Sequence, residues 1–102
     1  MRRWFVSRHP GAIEWVKRQP LVIDRFVAHL KLEEVQSGDL VYGTLPLELA
    51  AEICRRGARF FALRLELSAG QRGADLTADD LEALQADFQE YHVLKMENPN
   101  EF

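Results

Sequence analysis

Short apolar runs and helical apolar stripes alternate along this chain, and the alternation predicts its secondary structure. The continuous apolar run Trp4-Phe5-Val6 predicts a buried strand over residues 2–7. Residues 11–19 place apolar side chains at helical spacing and stop before Pro20, which predicts a first helix. Residues 21–28 predict a second strand, and the charged residues inside it indicate a position at the edge of a sheet.

A third strand and a second helix are predicted in the middle of the chain. Residues 39–43 form the strand, which runs directly into the helix. Thr44 or Leu45 is expected to cap that helix, with Pro46 in its first turn. Gly57 is a suitable terminator for it.

The last third of the chain predicts one more strand and one long helix. Residues 59–67 alternate apolar and charged side chains, as a half-buried strand does, and residues 68–76 predict a loop. A Thr77-x-x-Asp80 capping box then opens a third helix. The apolar stripe of this helix is formed by Leu81, Leu84, Phe88 and Tyr91. Its acidic residues, including Asp87 and Glu90, are expected to form a solvated face.

This order of elements predicts an α/β fold: a single domain with helices on both faces of a mainly parallel, four-stranded sheet. Right-handed crossovers give the strand order 2-1-3-4. We assign residues 1–96 to the domain and residues 97–102 to a flexible tail. In open parallel sheets, ligands bind beyond the carboxyl ends of the strands where the strand order reverses. Here that switch point lies between strands one and three.

Composition and charge exclude several functional classes. The 102 residues suffice for one domain, and the net charge of -3 argues against non-specific binding of DNA or RNA. The apolar stretches are too short to cross a membrane, and the amino-terminal residues do not resemble a signal peptide. One cysteine, Cys54, cannot form an internal disulfide, and its apolar surroundings suggest simple packing. We therefore expect a cytoplasmic protein.

The switch point brings two polar segments together, Ser7-Arg8-His9 and Gly43-Thr44-Leu45-Pro46. His9 can transfer a proton near neutral pH, and Arg8 can clamp a phosphate, so both are predicted to be catalytic. The predicted substrate-binding residues are Ser7, Pro10, Gly11, Gly43, Thr44, Leu45 and Pro46.

Each candidate also has a structural interpretation. His9 could cap the first helix or only contact a ligand, and Arg8 could form a surface ion pair. Thr44 is more typical of a helix cap or phosphate contact than of a nucleophile. His29 lies near the end of the edge strand, one position from the switch point, and is a secondary candidate, whereas His92 is expected to be structural.

The histidines have no metal-ligand spacing, and no phosphate loop, dinucleotide-binding or zinc-binding motif is present in the sequence. We therefore expect neither a metal nor a cofactor.

The string from Trp4 to Trp15, with Ser7-Arg8-His9-Pro10-Gly11-Ala12 at its centre, resembles a family of small CRISPR-associated proteins encoded beside type III systems. Gly43-Thr44-Leu45-Pro46 and Arg56-Gly57-Ala58-Arg59 add to the resemblance, which covers residues 2–92. The resemblance implies a single Rossmann-like domain related to the nucleotide-sensing CARF group. It also implies a dimeric ring nuclease that cuts cyclic oligoadenylate, chiefly cyclic tetra-adenylate, without a metal and so switches off the antiviral response.

Two alternatives stay open. The first is a module of the same fold that binds the cyclic nucleotide without cutting it. The second is a histidine phosphatase, because those enzymes also carry Arg-His after a first strand. Against the second, Pro10 follows His9 where that class has glycine, and the chain is short for its added helices and second histidine.

Overall fold

The computed structural model describes residues 1–66 and 75–97 of the chain. Within them the elements are, in chain order, β1 (Arg3–Val6), α1 (Pro10–Lys17), β2 (Arg25–Val27), β3 (Leu40–Gly43), α2 (Leu47–Arg55), β4 (Arg59–Arg64), α3 (Ala78–Ala83) and β5 (Asp87–Tyr91). A 3₁₀ turn, Leu32–Glu34, lies between β2 and β3. The predicted loop at 68–76 and the predicted tail at 97–102 lie almost entirely outside the described residues.

The described strands form one sheet in the order β2-β1-β3-β4-β5. β1 pairs in parallel with both β2 and β3, and β3 pairs in parallel with β4. The predicted order 2-1-3-4 is therefore confirmed for the first four strands, including the contact between β1 and β3. The prediction of only four strands was wrong: β5 adds an antiparallel edge strand beside β4 and makes the sheet mixed.

The fifth strand replaces the second half of the predicted third helix. α3 ends at Ala83, and Gln85 turns the chain with φ of 56°, a left-handed conformation that few non-glycine residues adopt. Phe88 then lies in β5 with its ring 5.0 Å from that of Tyr42 on β3. The chain leaves the helix after Ala83, and Phe88 packs directly against the sheet instead of on a longer third helix.

Other element boundaries also differ from the predictions. β2 has three residues instead of the predicted 21–28, and β4 ends at Arg64 instead of 67. The capping position of α2 is occupied by Pro46, with no side chain accepting from the first turn. The prediction that Thr44 or Leu45 caps this helix was therefore wrong.

Alternation along β1 creates two apolar layers, one on each face of the sheet. Trp4 and Val6 pack on the α2 side, together with the buried Cys54, whose predicted packing role is confirmed. Phe5 packs on the opposite side with Trp15 of α1 and residues of α3. Burial of a side chain of this size contributes about 1.5–3 kcal/mol. The prediction of helices on both faces is confirmed.

A buried carboxylate fixes the amino-terminal ends of β1 and β3. Asp39 is only 3% exposed, and its Oδ1 accepts from the backbone N–H of Arg2 at 3.0 Å. Its Oδ2 accepts from Trp4 Nε1 and from the backbone N–H of Gln36, each at 3.0 Å. Burial raises the pKa of Asp39, but these hydrogen bonds lower it more, so the pKa lies below its ordinary value. The ionised carboxylate therefore holds the two central strands in register.

Candidate functional site

The carboxyl ends of β1, β2 and β3 lie side by side at one edge of the sheet. Val6, the last residue of β1, is the register partner of Val27 in β2 and of Gly43 in β3. The Ser7 N–H donates to the Val27 carbonyl at 3.0 Å, which extends the pairing one residue beyond β1. The residues that follow each of these strands therefore meet at this edge.

These residues line a pocket of about 380 Å³, which we call the strand-end pocket. Its polar lining consists of Ser7, Arg8, His9, His29 and Thr44. Its apolar lining includes Leu30, Leu45, Pro46 and Leu49. Cationic groups, hydroxyls and an apolar wall are the combination needed to bind a phosphate together with a sugar and a base.

The strand-end pocket differs from its neighbours in charge. Its titratable side chains are Arg8, His9 and His29, and none of its described lining residues is a carboxylate. Each of four other surface pockets in the described part of the chain includes at least one carboxylate. Because the chain as a whole carries a net charge of -3, this local pattern singles out the strand-end pocket as a place for an anion.

The backbone between β1 and α1 presents Arg8 and His9 to solvent. Ser7 Oγ accepts from the His9 N–H at 3.1 Å, which fixes the turn. His9 occupies the capping position of α1 with φ of -93° and ψ of 116°, but its side chain makes no capping hydrogen bond. The interpretation of His9 as a side-chain cap is therefore wrong. Arg8 is exposed and forms no ion pair with another described residue. Both side chains are thus available to a ligand.

The amino terminus of α2 also faces the strand-end pocket. The Pro46 carbonyl accepts the first intrahelical bond, from the Ala50 N–H at 3.0 Å, and among the described residues no side chain caps the helix. The backbone N–H groups of residues 47–49 consequently have no acceptor within the helix. Since Pro46 and Leu49 both line the pocket, the positive end of the helix dipole favours an anion there.

Comparison with known proteins places the chain in a family. Residues 4–94 match the family model "Putative CRISPR-associated protein (Cas_VVA1548)". The chain belongs to the Cas_VVA1548 family. No curated protein and no solved structure matches it. The matched region includes every residue of the strand-end pocket, so this Cas_VVA1548 protein carries its pocket within the part that defines the family.

The structure brings together most of the site residues predicted from the sequence of this Cas_VVA1548 protein. The strand-end pocket contains Ser7, Arg8, His9, Thr44, Leu45 and Pro46. Gly43 is buried and does not line it. Gly43 has φ of 129°, and a Cβ at this position would collide with the Val6 carbonyl oxygen. Its absent side chain therefore serves the close approach of β3 to β1.

Pro10 and Gly11 lie at a different pocket, of about 470 Å³, between α1 and α3. His9 lines this second pocket as well, together with Arg18 and three carboxylates, Glu14, Asp75 and Asp79. Arg18 already pairs with Asp79 at 2.8 Å, so the excess of carboxylates disfavours a phosphate there. A Cβ on Gly11 would collide with the Leu76 carbonyl. Gly11 therefore permits α1 to approach the segment before α3, which is a packing role.

His29, which the sequence indicated only as a secondary candidate, lines the same pocket as Arg8 and His9. β2 ends at Val27, the chain bends over the next two residues, and the exposed His29 side chain lines the strand-end pocket. The parallel pairing of β1 and β2 explains why His29 lies so close to the residues after β1. Residues just beyond the carboxyl ends of adjacent parallel strands share one edge of the sheet.

In residues 1–66 and 75–97, no group of three or more His, Cys, Asp or Glu side chains is placed to hold a metal ion. Within the same residues no helix is long and apolar enough to cross a membrane. The sequence-based expectations of no metal, no cofactor and a homodimer stay predictions.

Proposed function

We propose that this Cas_VVA1548 protein is a ring nuclease that degrades cyclic oligoadenylate, with cyclic tetra-adenylate as its substrate, and so switches off type III CRISPR antiviral signalling. The observation that carries the proposal is the strand-end pocket, whose described lining gathers Arg8, His9 and His29 and no carboxylate at the switch point of the sheet. Membership of a CRISPR-associated family supports the biological setting. The resemblance of the Ser7–Ala12 string to ring nucleases supports the reaction.

The proposed reaction is attack of a ribose 2′-hydroxyl on the adjacent phosphodiester. Arg8 holds the phosphate by two N–H groups and offsets the charge that gathers on the phosphorane. His9 protonates the departing 5′-oxygen. The products are linear oligoadenylates that end in a 2′,3′-cyclic phosphate. No step requires a metal ion, because the substrate supplies its own nucleophile.

A homodimer follows from the size and symmetry of the proposed ligand. Pockets of roughly 300–1,000 Å³ hold ligands of drug size, and a ring of four nucleotides is larger than that. The strand-end pocket, at about 380 Å³, accommodates only part of such a ring. A two-fold dimer would present the pocket twice to a ligand with matching symmetry.

Cleavage by variants of the pocket tests the proposal. His9→Ala should lower the single-turnover rate on cyclic tetra-adenylate by about a hundredfold to ten-thousandfold, with little change in binding, because a proton donor is lost. His92→Ala is the matched control, since His92 is exposed and lies at a different pocket. Tight binding without cleavage by the wild-type protein would instead favour the sensor module. Activity on phosphohistidine but not on the ring would favour a phosphatase.

A further inference from the structure

We propose that His29 is the general base of this reaction and removes the proton from the attacking 2′-hydroxyl. The inference rests on the proposed function and assigns a second proton-transfer group to the same site. His29 and His9 reach the strand-end pocket from the ends of different strands, β2 and β1. One histidine would thus act at the nucleophile and the other at the leaving group.

The register of the sheet explains why His29 reaches the phosphate site. Val6 and Val27 are partners in the parallel pair of β1 and β2. Arg8 and His29 each lie two residues beyond these partners, and the hydrogen bond from Ser7 N–H to Val27 carbonyl holds the two strand ends together. A phosphate clamped by Arg8 would therefore meet His9 on the segment after β1 and His29 on the segment after β2, which line the same pocket.

The chemistry of the lining leaves few other proton acceptors. An arginine guanidinium has only N–H donors and no acceptor, so Arg8 cannot take the proton. The hydroxyls of Ser7 and Thr44 are weak bases, and the described lining includes no carboxylate. His9 and His29 are thus the two groups there that can exchange a proton near neutral pH. Attack on a phosphodiester needs one proton removed and one supplied, which matches one role for each.

The proposed step is balanced without a co-reactant. Neutral His29 takes the 2′-hydroxyl proton as the bond from the 2′-oxygen to phosphorus forms. Protonated His9 gives its proton to the 5′-oxygen as the bond from phosphorus to that oxygen breaks. The product is an isomer of the ring that was opened, and exchange with water returns both histidines to their starting protonation states.

This division predicts a bell-shaped dependence of the cleavage rate on pH. The ascending limb reports loss of the proton from His29, and the descending limb reports loss of the proton from His9. In the strand-end pocket the further charged group is Arg8, just beyond the end of β1. On its other side His9 shares the second pocket with Glu14 of α1, Arg18 at the carboxyl end of α1, Asp75 before α3 and Asp79 in the first turn of α3. The residues that α2 and its preceding turn place in the strand-end pocket, such as Thr44 and Leu49, carry no charge.

The first experiment compares single-turnover rates and binding for His29→Ala, His29→Gln and the control His92→Ala. Both His29 variants should cleave about a hundredfold to ten-thousandfold more slowly, bind cyclic tetra-adenylate with unchanged affinity, and lose the ascending limb of the pH profile. His29 is exposed, so neither substitution should unfold the protein. A wild-type rate, or a slower rate with an unchanged pH profile, would overturn the assignment. The control should behave as wild type.

A substrate with sulfur in place of the 5′-oxygen separates the two roles. A thiolate departs without a proton, so it removes the need for an acid but not for a base. Cleavage of this analogue should be restored in His9→Ala and should stay slow in His29→Ala. Restoration in His29→Ala alone would show that the roles are reversed and would overturn the inference. Failure of the wild-type protein to cleave any ring would instead refute the proposed function.

Discussion

Asp39→Asn should destabilise the domain far more than Asp24→Asn, although both carboxylates hold the backbone of β1. Asp39 is buried and accepts three hydrogen bonds, from Arg2, Trp4 and Gln36. Asp24 is exposed and accepts one, from the Arg3 N–H at 2.7 Å. The two substitutions are chemically identical. The difference between their effects on the free energy of unfolding therefore reports how burial and the number of accepted hydrogen bonds differ between Asp39 and Asp24.

The size of the effect at Asp39 follows from its partners. An asparagine amide has one oxygen, which can keep the bonds from Trp4 and Gln36. Its NH₂ group then faces the Arg2 N–H, so two donors meet. Loss of a bond to a charged acceptor and an unsatisfied donor together cost about 2–5 kcal/mol. For a domain of this size, that lowers the Tm by about 10 °C or more. At Asp24 the remaining amide oxygen can keep the single bond from the Arg3 N–H, and the exposed NH₂ group can bond to water, so the cost should stay within about 1 kcal/mol.

Thermal and urea unfolding followed by circular dichroism would measure both variants. The dependence on pH adds a second check, because the pKa of Asp39 is lowered in the folded state. A lowered carboxyl pKa contributes stability above the unfolded value of about 3.9, and that stability is lost as the pH falls through the folded value. The gap between wild type and Asp39→Asn should therefore narrow below about pH 4. Equal Tm values for the two variants, or a gap that is constant with pH, would refute the reasoning.

Three other predictions address the site and its support. Arg8→Ala should weaken binding of cyclic tetra-adenylate and slow its cleavage, and Arg8→Lys should restore only part of each. Titration calorimetry would measure the binding and single-turnover kinetics the cleavage. Full recovery with lysine would argue against a clamp that uses two N–H groups. Gly11→Ala should cost about 1–3 kcal/mol in urea unfolding, because its Cβ meets the Leu76 carbonyl, and a neutral result would contradict that packing. Light scattering should show a dimer at micromolar concentration, and a monomer with and without ligand would contradict the shared site.

The order of the first four strands could be predicted because its signals are local. Apolar periodicity identifies each element, Pro20 ends the first helix, and Gly57, with φ of 91°, ends the second. The right-handed crossover rule then leaves one simple arrangement of parallel strands. The contact between β1 and β3, which positions the site, follows from these facts alone.

The fifth strand could not be predicted from periodicity, because its stability comes from contacts distant in sequence. Asp87 and Glu90, expected on a solvated helix face, instead pair with Arg64 and Arg59 of β4, with closest distances of 2.9 Å and 2.7 Å. No glycine or proline marks the turn before β5. Phe88 fits a helical stripe in sequence, yet packs on the sheet in the structure. Complementary charges on the two segments were the available signal.

The candidate site shows the same division between local and distant information. The position of Arg8 and His9 at the carboxyl end of β1 could be predicted, because a polar turn directly follows a buried strand. Gly11 and Gly43 were expected to contact a ligand, but what each touches is backbone from another part of the chain. Three separate segments of the chain form the described lining of the strand-end pocket, and none of them contributes a carboxylate. This property could not be predicted from any one of the segments alone.

The most direct test of the proposed function is the mass of the products formed from cyclic tetra-adenylate by the purified protein in EDTA. Attack by a 2′-hydroxyl adds no water, so chromatography with mass spectrometry should show linear oligoadenylates that end in a 2′,3′-cyclic phosphate. The same products should form at a similar rate when magnesium or manganese is added. An intact ring after prolonged incubation, or cleavage that requires the added metal, would contradict the mechanism assigned to Arg8, His9 and His29.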